Sequence, residues 1–155
     1  MSSASIRTLR RDEREAVLAL LDEWQLSDGW RGRDYFRRYI ELDPTYADEN
    51  FMVAERDGQL VACVQIFPRL LRVRGATLPV GGIGSVFTSE KERGSGVASR
   101  LLEASVAAMR ERGDGVVETQ PPGEDAIHEA GGEGTVGLGE LRLAELAPEL
   151  GIGAH

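Results

Sequence analysis

The 155-residue chain has little cysteine, little histidine and no long apolar run. Its one cysteine, Cys63, sits among Leu60, Val61, Ala62, Val64 and Ile66, so it reads as a buried strand thiol rather than a nucleophile, and a disulfide framework is excluded. The two histidines, His128 and His155, have no metal-ligand spacing, and no metal is expected. Met1 to Arg7 lacks the apolar stretch of a signal peptide and no window reaches membrane-spanning length, so the expectation is a cytoplasmic protein with no membrane partner. Aromatic residues are missing after Phe87, and after Arg112 basic residues are nearly so: Arg142 stands alone against nine acids. The first 112 residues hold 17 bases and 17 acids, so the net charge of −8 belongs wholly to the remainder. A balanced front and an acidic end exclude nucleic acid as the expected partner.

What is present reads as one α/β domain, long enough to bury a core without staples. Ile6 to Leu9 predicts a short strand. Asp12 is placed to cap a helix carrying Ala16, Val17, Leu20 and Leu21 on one stripe, and Asp34 to Ile40 predicts a second helix ending before Asp43-Pro44. Phe51 to Glu55 and Leu60 to Phe67 are strand-like and joined across Asp57-Gly58, a strong hairpin signal. Leu70 to Val73 and Leu78 to Phe87 predict a further pair. The glycines at 81, 82 and 84 inside the latter point either to a bulge or close ligand approach, or to a plain bend. Val97, Leu101, Leu102, Ser105, Val106 and Met109 share one helical face, with Gly113 as the C-cap, and Val116 to Thr119 could form a last strand.

Between strand and helix lies Arg93-Gly94-Ser95-Gly96-Val97-Ala98. A helix N-terminus offers unpaired N–H groups and the positive end of the helix dipole, so this turn is a seat for a phosphate group. A nucleotide triphosphate loop would need Gly-Lys-Ser/Thr, and none follows Gly96. A dinucleotide fingerprint would need its third glycine where Ser99 stands, and its glycines directly at the strand end, whereas Ser89 to Glu92 intervene. The pattern Arg93-x-x-Gly96-x-Ala98, after Gly84-Ser85-Val86-Phe87-Thr88 and before Leu101-Leu102, resembles the coenzyme A signature of the GNAT acetyltransferases. The order of elements over residues 5 to 119 resembles that fold too. Gly81-Gly82-Ile83-Gly84-Ser85-Val86 resembles the branch containing the enhanced-intracellular-survival type enzymes.

The resemblance implies a GNAT-like mixed, mostly antiparallel sheet flanked by helices. It implies a domain over residues 1–119, with 120–155 a glycine- and glutamate-rich tail or a divergent end of the domain, whose closing strands are missing or altered. It implies acetyl-CoA as cosubstrate, its pyrophosphate on the amides of Gly94, Ser95, Gly96, Val97, Ala98 and Ser99 beside Arg93, and its pantetheine arm along the main chain of Val86, Phe87 and Thr88. The expected function is acetyl transfer from the thioester to an amine of a small molecule or protein. A lysine-like amine is less than about 0.1% neutral at pH 7, so a base must help. Glu118 is a candidate base with a solvent-facing strand residue as its alternative, and Trp24, Trp30 and Tyr35, near Asp22 and Glu23, are candidates for the acceptor pocket or for core and surface. The resemblance also implies a proton-donating tyrosine after the fifth strand, yet no tyrosine follows Tyr46. The alternative function is therefore an acyl-CoA-binding remnant, catalytically impaired or truncated. The acceptor and the oligomeric state stay open.

Overall fold

A computed structural model describes residues 3–26 and 29–118. Its frame is a five-stranded sheet in the order β1-β2-β3-β4-β5, formed by Ser5–Thr8, Phe51–Arg56, Gln59–Val73, Ala76–Thr88 and Gly115–Glu118. The first four strands are antiparallel neighbours and β5 joins β4 in parallel. Three helices complete it: α1 (Arg14–Leu21), α2 (Gly32–Glu41) and α3 (Val97–Glu111). No helix among the described residues is long and apolar enough to cross a membrane.

Alternation along the strands divides the core in two. Met52 and Ala54 of β2, Ala62, Val64 and Ile66 of β3 and Ile83 of β4 pack with Val97, Leu101 and Met109 of α3. Their neighbours Phe51, Val53 and Cys63 pack with Val17, Leu18, Leu20 and Leu21 of α1 and Phe36 of α2. This is the period-2 pattern of a sheet buried on both faces.

The Asp57-Gly58 hairpin forms as the sequence predicts, with φ of 51° and 77°. Arg74 and Gly75 repeat the device, with φ of 47° and 85°, between β3 and β4. Three local expectations are corrected. Leu70 to Val73 is not a separate strand, because β3 runs unbroken through Pro68. β2 begins at Phe51 opposite Gln65, so past Gln65 that edge of β3 has no partner among the described residues, and proline is tolerated on an edge. Asp12 does not cap α1: it lies within a 3-10 turn, Arg11–Glu13. There the Glu13 carboxylate accepts the Arg10 N–H at 2.9 Å and pairs with Arg7, which also holds Glu55. The second helix is longer at its start than expected, since Gly32 fits directly against the main chain of Leu21, where a Cβ would lie 2.0 Å from the carbonyl oxygen. Expectations for 119–155, including the tail or divergent end of the domain, fall outside the described residues.

Candidate functional site

The site begins at a defect in β4. Cys63 pairs with Phe87 and Gln65 with Gly84, so the single residue Val64 of β3 faces two residues, Ser85 and Val86. One extra residue reverses strand parity. Ile83 therefore faces α3, while Phe87, four residues on, faces the opposite core. Ser85 carries the turn, with φ of 50°. Its hydroxyl donates to Gln65 Oε1 at 3.1 Å, and the Cys63 thiol donates to its carbonyl at 3.5 Å. Burial pushes the Cys63 thiol well above its ordinary range, which keeps it protonated.

The glycines before the bulge have a different use. A Cβ on Gly81 would lie 2.2 Å from Met109 Sδ, and one on Gly84 would lie 2.8 Å from Phe67 Cε2. They admit helix and ring to the sheet, and neither has a positive φ.

β5 pairs only with Val80 to Ile83, leaving Gly84 to Thr88 with an uncovered edge among the described residues. Ser89 donates its N–H to the Val61 carbonyl at 2.8 Å. The alternation of an extended chain then turns the main-chain groups of Thr88 toward the uncovered side. Val86 is partly exposed at 37%, whereas Phe87 is buried, its ring stacked on Trp24 with centroids 5.6 Å apart. Glu118, the last described residue, pairs with Ile83.

This edge leads through a 3-10 turn, Glu90–Glu92, to the start of α3. Gly94 and Gly96 adopt φ of 79° and 78°, conformations that favour glycine, and a Cβ on either would meet nothing within 4 Å. The first backbone bond into the helix runs from Arg100 N–H to the Gly96 carbonyl at 3.3 Å, so the amides of Val97, Ala98 and Ser99 precede it. Ser95 Oγ takes the Val97 amide at 3.4 Å. Val97 itself anchors the helix in the core, while Arg93, Gly94, Ser95 and Gly96 are exposed.

Two hollows adjoin here, of about 400 and 610 Å³; Glu23, Phe87, Glu90 and Arg93 line both. Val86, Thr88 and Trp24 line the larger, and Ser89 and Lys91 the smaller. Trp24 thus joins the β4 residues, whereas Trp30 and Tyr35 lie apart from both linings. Trp30 is 48% exposed beneath the Arg38 guanidinium, and Tyr35 packs edge-on against Phe36, its hydroxyl 3.0 Å from that of Tyr39. Burial together with that hydroxyl keeps the Tyr39 phenol protonated.

The two acids after α1 have different roles. Asp22 accepts the Arg31 guanidinium at 2.5 Å and the Arg33 amide at 3.2 Å, and those bonds hold its carboxyl below the ordinary range. Glu23 instead reaches across to accept the Ser89 hydroxyl at 3.0 Å, and no ion pair occupies it among the described residues. Spacing along the chain could not single out Glu23, because its partner is 66 residues away, and the fold brings the two segments together with the Trp24–Phe87 stack beside that bond. Among the described residues no group of three or more His, Cys, Asp or Glu side chains is gathered as metal ligands would be.

Residues 5–123 match the family model described as an acetyltransferase (GNAT) domain. Among solved structures, ribosomal-protein-alanine N-acetyltransferase from Brucella melitensis biovar Abortus 2308 is similar with a TM-score of 0.62 and 19% identity, over 90% of this chain and 98% of that one. Glucosamine-6-phosphate N-acetyltransferase from Arabidopsis thaliana gives 0.58 and 18%, over 91% and 99%. A predicted acetyltransferase with acetyl-CoA from Clostridium acetobutylicum gives 0.60 and 18%, over 92% and 98%. No curated protein matches the chain in sequence.

Proposed function

The chain belongs to the GNAT acetyltransferase family, and from that premise we propose that it binds acetyl-CoA along the uncovered edge of β4 and transfers the acetyl group to an amine. In this reading the domain comprises residues 1–119. The main chain of Val86, Phe87 and Thr88 takes the amide groups of the pantetheine arm in the manner of an added strand. The turn from Gly94 to Ser99 takes the pyrophosphate, chiefly on the amides of Gly94, Gly96, Ala98 and Ser99, since Ser95 N–H donates to the Glu92 carbonyl at 3.2 Å and Val97 N–H to Ser95 Oγ, and the helix dipole and Arg93 support it. The fit rests on the space over this turn: the position a Cβ would take at Gly94 or Gly96 has no protein atom within 4 Å.

Acetyl-CoA supplies an activated thioester carbonyl. The amine nitrogen attacks it, a C–N bond forms, the C–S bond breaks, and the amine proton leaves as the thiolate gains one. The main-chain N–H of Val86 in the bulge polarises the carbonyl as negative charge develops on its oxygen, since the Phe87 N–H faces Cys63 of β3. Glu23, in both hollows, is positioned to meet the amine, with Trp24 as apolar wall. Trp30, Tyr35 and Glu118 remain candidates of lower rank, set farther from the hollows or before the uncovered edge.

The observation that carries the reading is the β4 bulge at Ser85 and Val86 followed by a turn whose Gly94 and Gly96, with φ of 79° and 78°, lead into the first-turn amides of α3. Titration of acetyl-CoA into the wild type and Gly96→Trp tests it: binding is expected in the first and loss of at least about tenfold in affinity in the second. Equal affinity in both would overturn the placement. The second reading, an acyl-CoA-binding protein without turnover, is favoured by the lack of any tyrosine after Tyr46. Release of CoA thiol across a panel of amines separates the two.

A further inference from the structure

Glycine is abundant around the bulge, yet the one residue there in the left-handed region is a serine. Gly81, Gly82 and Gly84 have no positive φ, whereas Ser85 has φ of 50°. A side chain at this position works against the backbone, so its retention calls for something the side chain does. Its hydroxyl donates to Gln65 Oε1 at 3.1 Å. Gln65 is 2% exposed, one of four buried polar residues among those described, and it pairs with Gly84 on the strand facing the defect. The Cys63 thiol fixes the Ser85 carbonyl from the other side of Val64. The bulge is thus held by two side chains of β3, each reaching a different atom of Ser85.

We propose that Gln65 and Ser85 are positioning residues for acyl transfer: their hydrogen bond sets the direction of the Val86 N–H of the bulge, which polarises the thioester carbonyl. This rests on the acetyl-transfer reading above. Neither residue touches the reacting atoms; each acts through the main chain between Ser85 and Phe87. A bulge could form with glycine at 85 at lower backbone cost. It would then lack the tether that selects one orientation of the following peptide, and a small misplacement of a donor is enough to slow a reaction severely.

A pair of substitutions separates positioning from mere folding. Ser85→Gly removes the tether while relieving the left-handed backbone, and Gln65→Met removes the acceptor at nearly constant volume. The probe is acetyl-CoA carrying ¹³C at the acetyl carbonyl, whose resonance reports polarisation in the bound state without requiring turnover. The wild type is expected to displace that resonance from its free position. Ser85→Gly is expected to bind acetyl-CoA within about twofold of wild type, to keep its thermal midpoint within a few degrees, and to lose the displacement. Where amine turnover is measured, its kcat falls about tenfold or more with KM for acetyl-CoA held. Gln65→Met shows the same spectroscopic loss. An unaltered displacement in Ser85→Gly, or a wild type that binds without any displacement, overturns the proposal. Failure of the wild type to bind acetyl-CoA overturns instead the reading on which it rests.

Discussion

Replacing Gly96 by alanine asks two questions of one methyl group. The backbone there has φ of 78°, and a Cβ would meet no protein atom within 4 Å. The stability cost is therefore conformational, about 1–2 kcal/mol for an L-residue in the left-handed region. It is partly offset, by about 0.4–1 kcal/mol, because alanine restricts the unfolded chain. A net loss of about 1 kcal/mol lowers the thermal midpoint by roughly 4 °C for a domain of this size. The added methyl group also points into the space that the pyrophosphate is proposed to fill, so acetyl-CoA affinity falls further than stability does.

Gly58 supplies the matched control. It has φ of 77° and the same open surroundings, but lies in the hairpin between β2 and β3, away from both hollows. Gly58→Ala carries the same backbone penalty with no ligand nearby. Thermal melts of the two variants should coincide within about 2 °C, since the two positions share one φ and one kind of cost. Calorimetric titration with acetyl-CoA should separate them, with Gly58→Ala at wild-type affinity and Gly96→Ala weaker by about tenfold, or 1.4 kcal/mol. Equal affinities would refute the idea that the turn before α3 is the ligand's seat, whatever the melts show.

Two further outcomes follow from groups outside the site. The Arg7 guanidinium bonded to Glu13 holds that carboxyl down at about 2 against an ordinary 4.5, so the pair stabilises the fold fully above pH 4.5 and progressively less as pH falls toward 2. In urea titrations the deficit of Glu13→Gln relative to wild type should be largest near neutrality and shrink below pH 4.5; a deficit independent of pH would exclude this linkage. Cys63 is fully buried with its thiol pushed up by desolvation, so a thiol reagent at pH 8 should label it only in denaturant. Rapid stoichiometric labelling of the native protein would show that the core around β3 opens readily.

Local chemistry made part of this fold legible. Asp57-Gly58 specified a tight hairpin because both residues accept positive φ, and Gly113 ended α3 for the same reason, with φ of 76°. The glycine turn before α3 was legible too, with Gly94 and Gly96 at φ of 79° and 78° directly before the helix. The purposes of the glycines within β4 were not, since a glycine that admits Met109 Sδ and one that bends a chain look alike in sequence. Pro68 divided β3 on paper, but whether a strand edge is covered depends on where β2 begins, which is a tertiary fact. Glu23 lay beside Asp22 in the chain with nothing to distinguish them. The fold gave one to Arg31 and the other to Ser89.

The extra residue in β4 links architecture to chemistry more directly than any single side chain. Without it, Phe87 would share a face with Ile83 and turn toward α3, and Trp24 would lose its stacking partner. The segment after α1 would then have no ring to hold it against the end of β4, and Glu23 could not be kept at Ser89. One inserted residue therefore holds the segment after α1 through the Trp24–Phe87 stack and, in the proposed reading, presents the main chain of Val86 and Thr88 to the cosubstrate. That coupling is why a buried tether between Gln65 and Ser85, remote from the amide-bearing turn, should be read out in the chemistry rather than in the binding of acetyl-CoA.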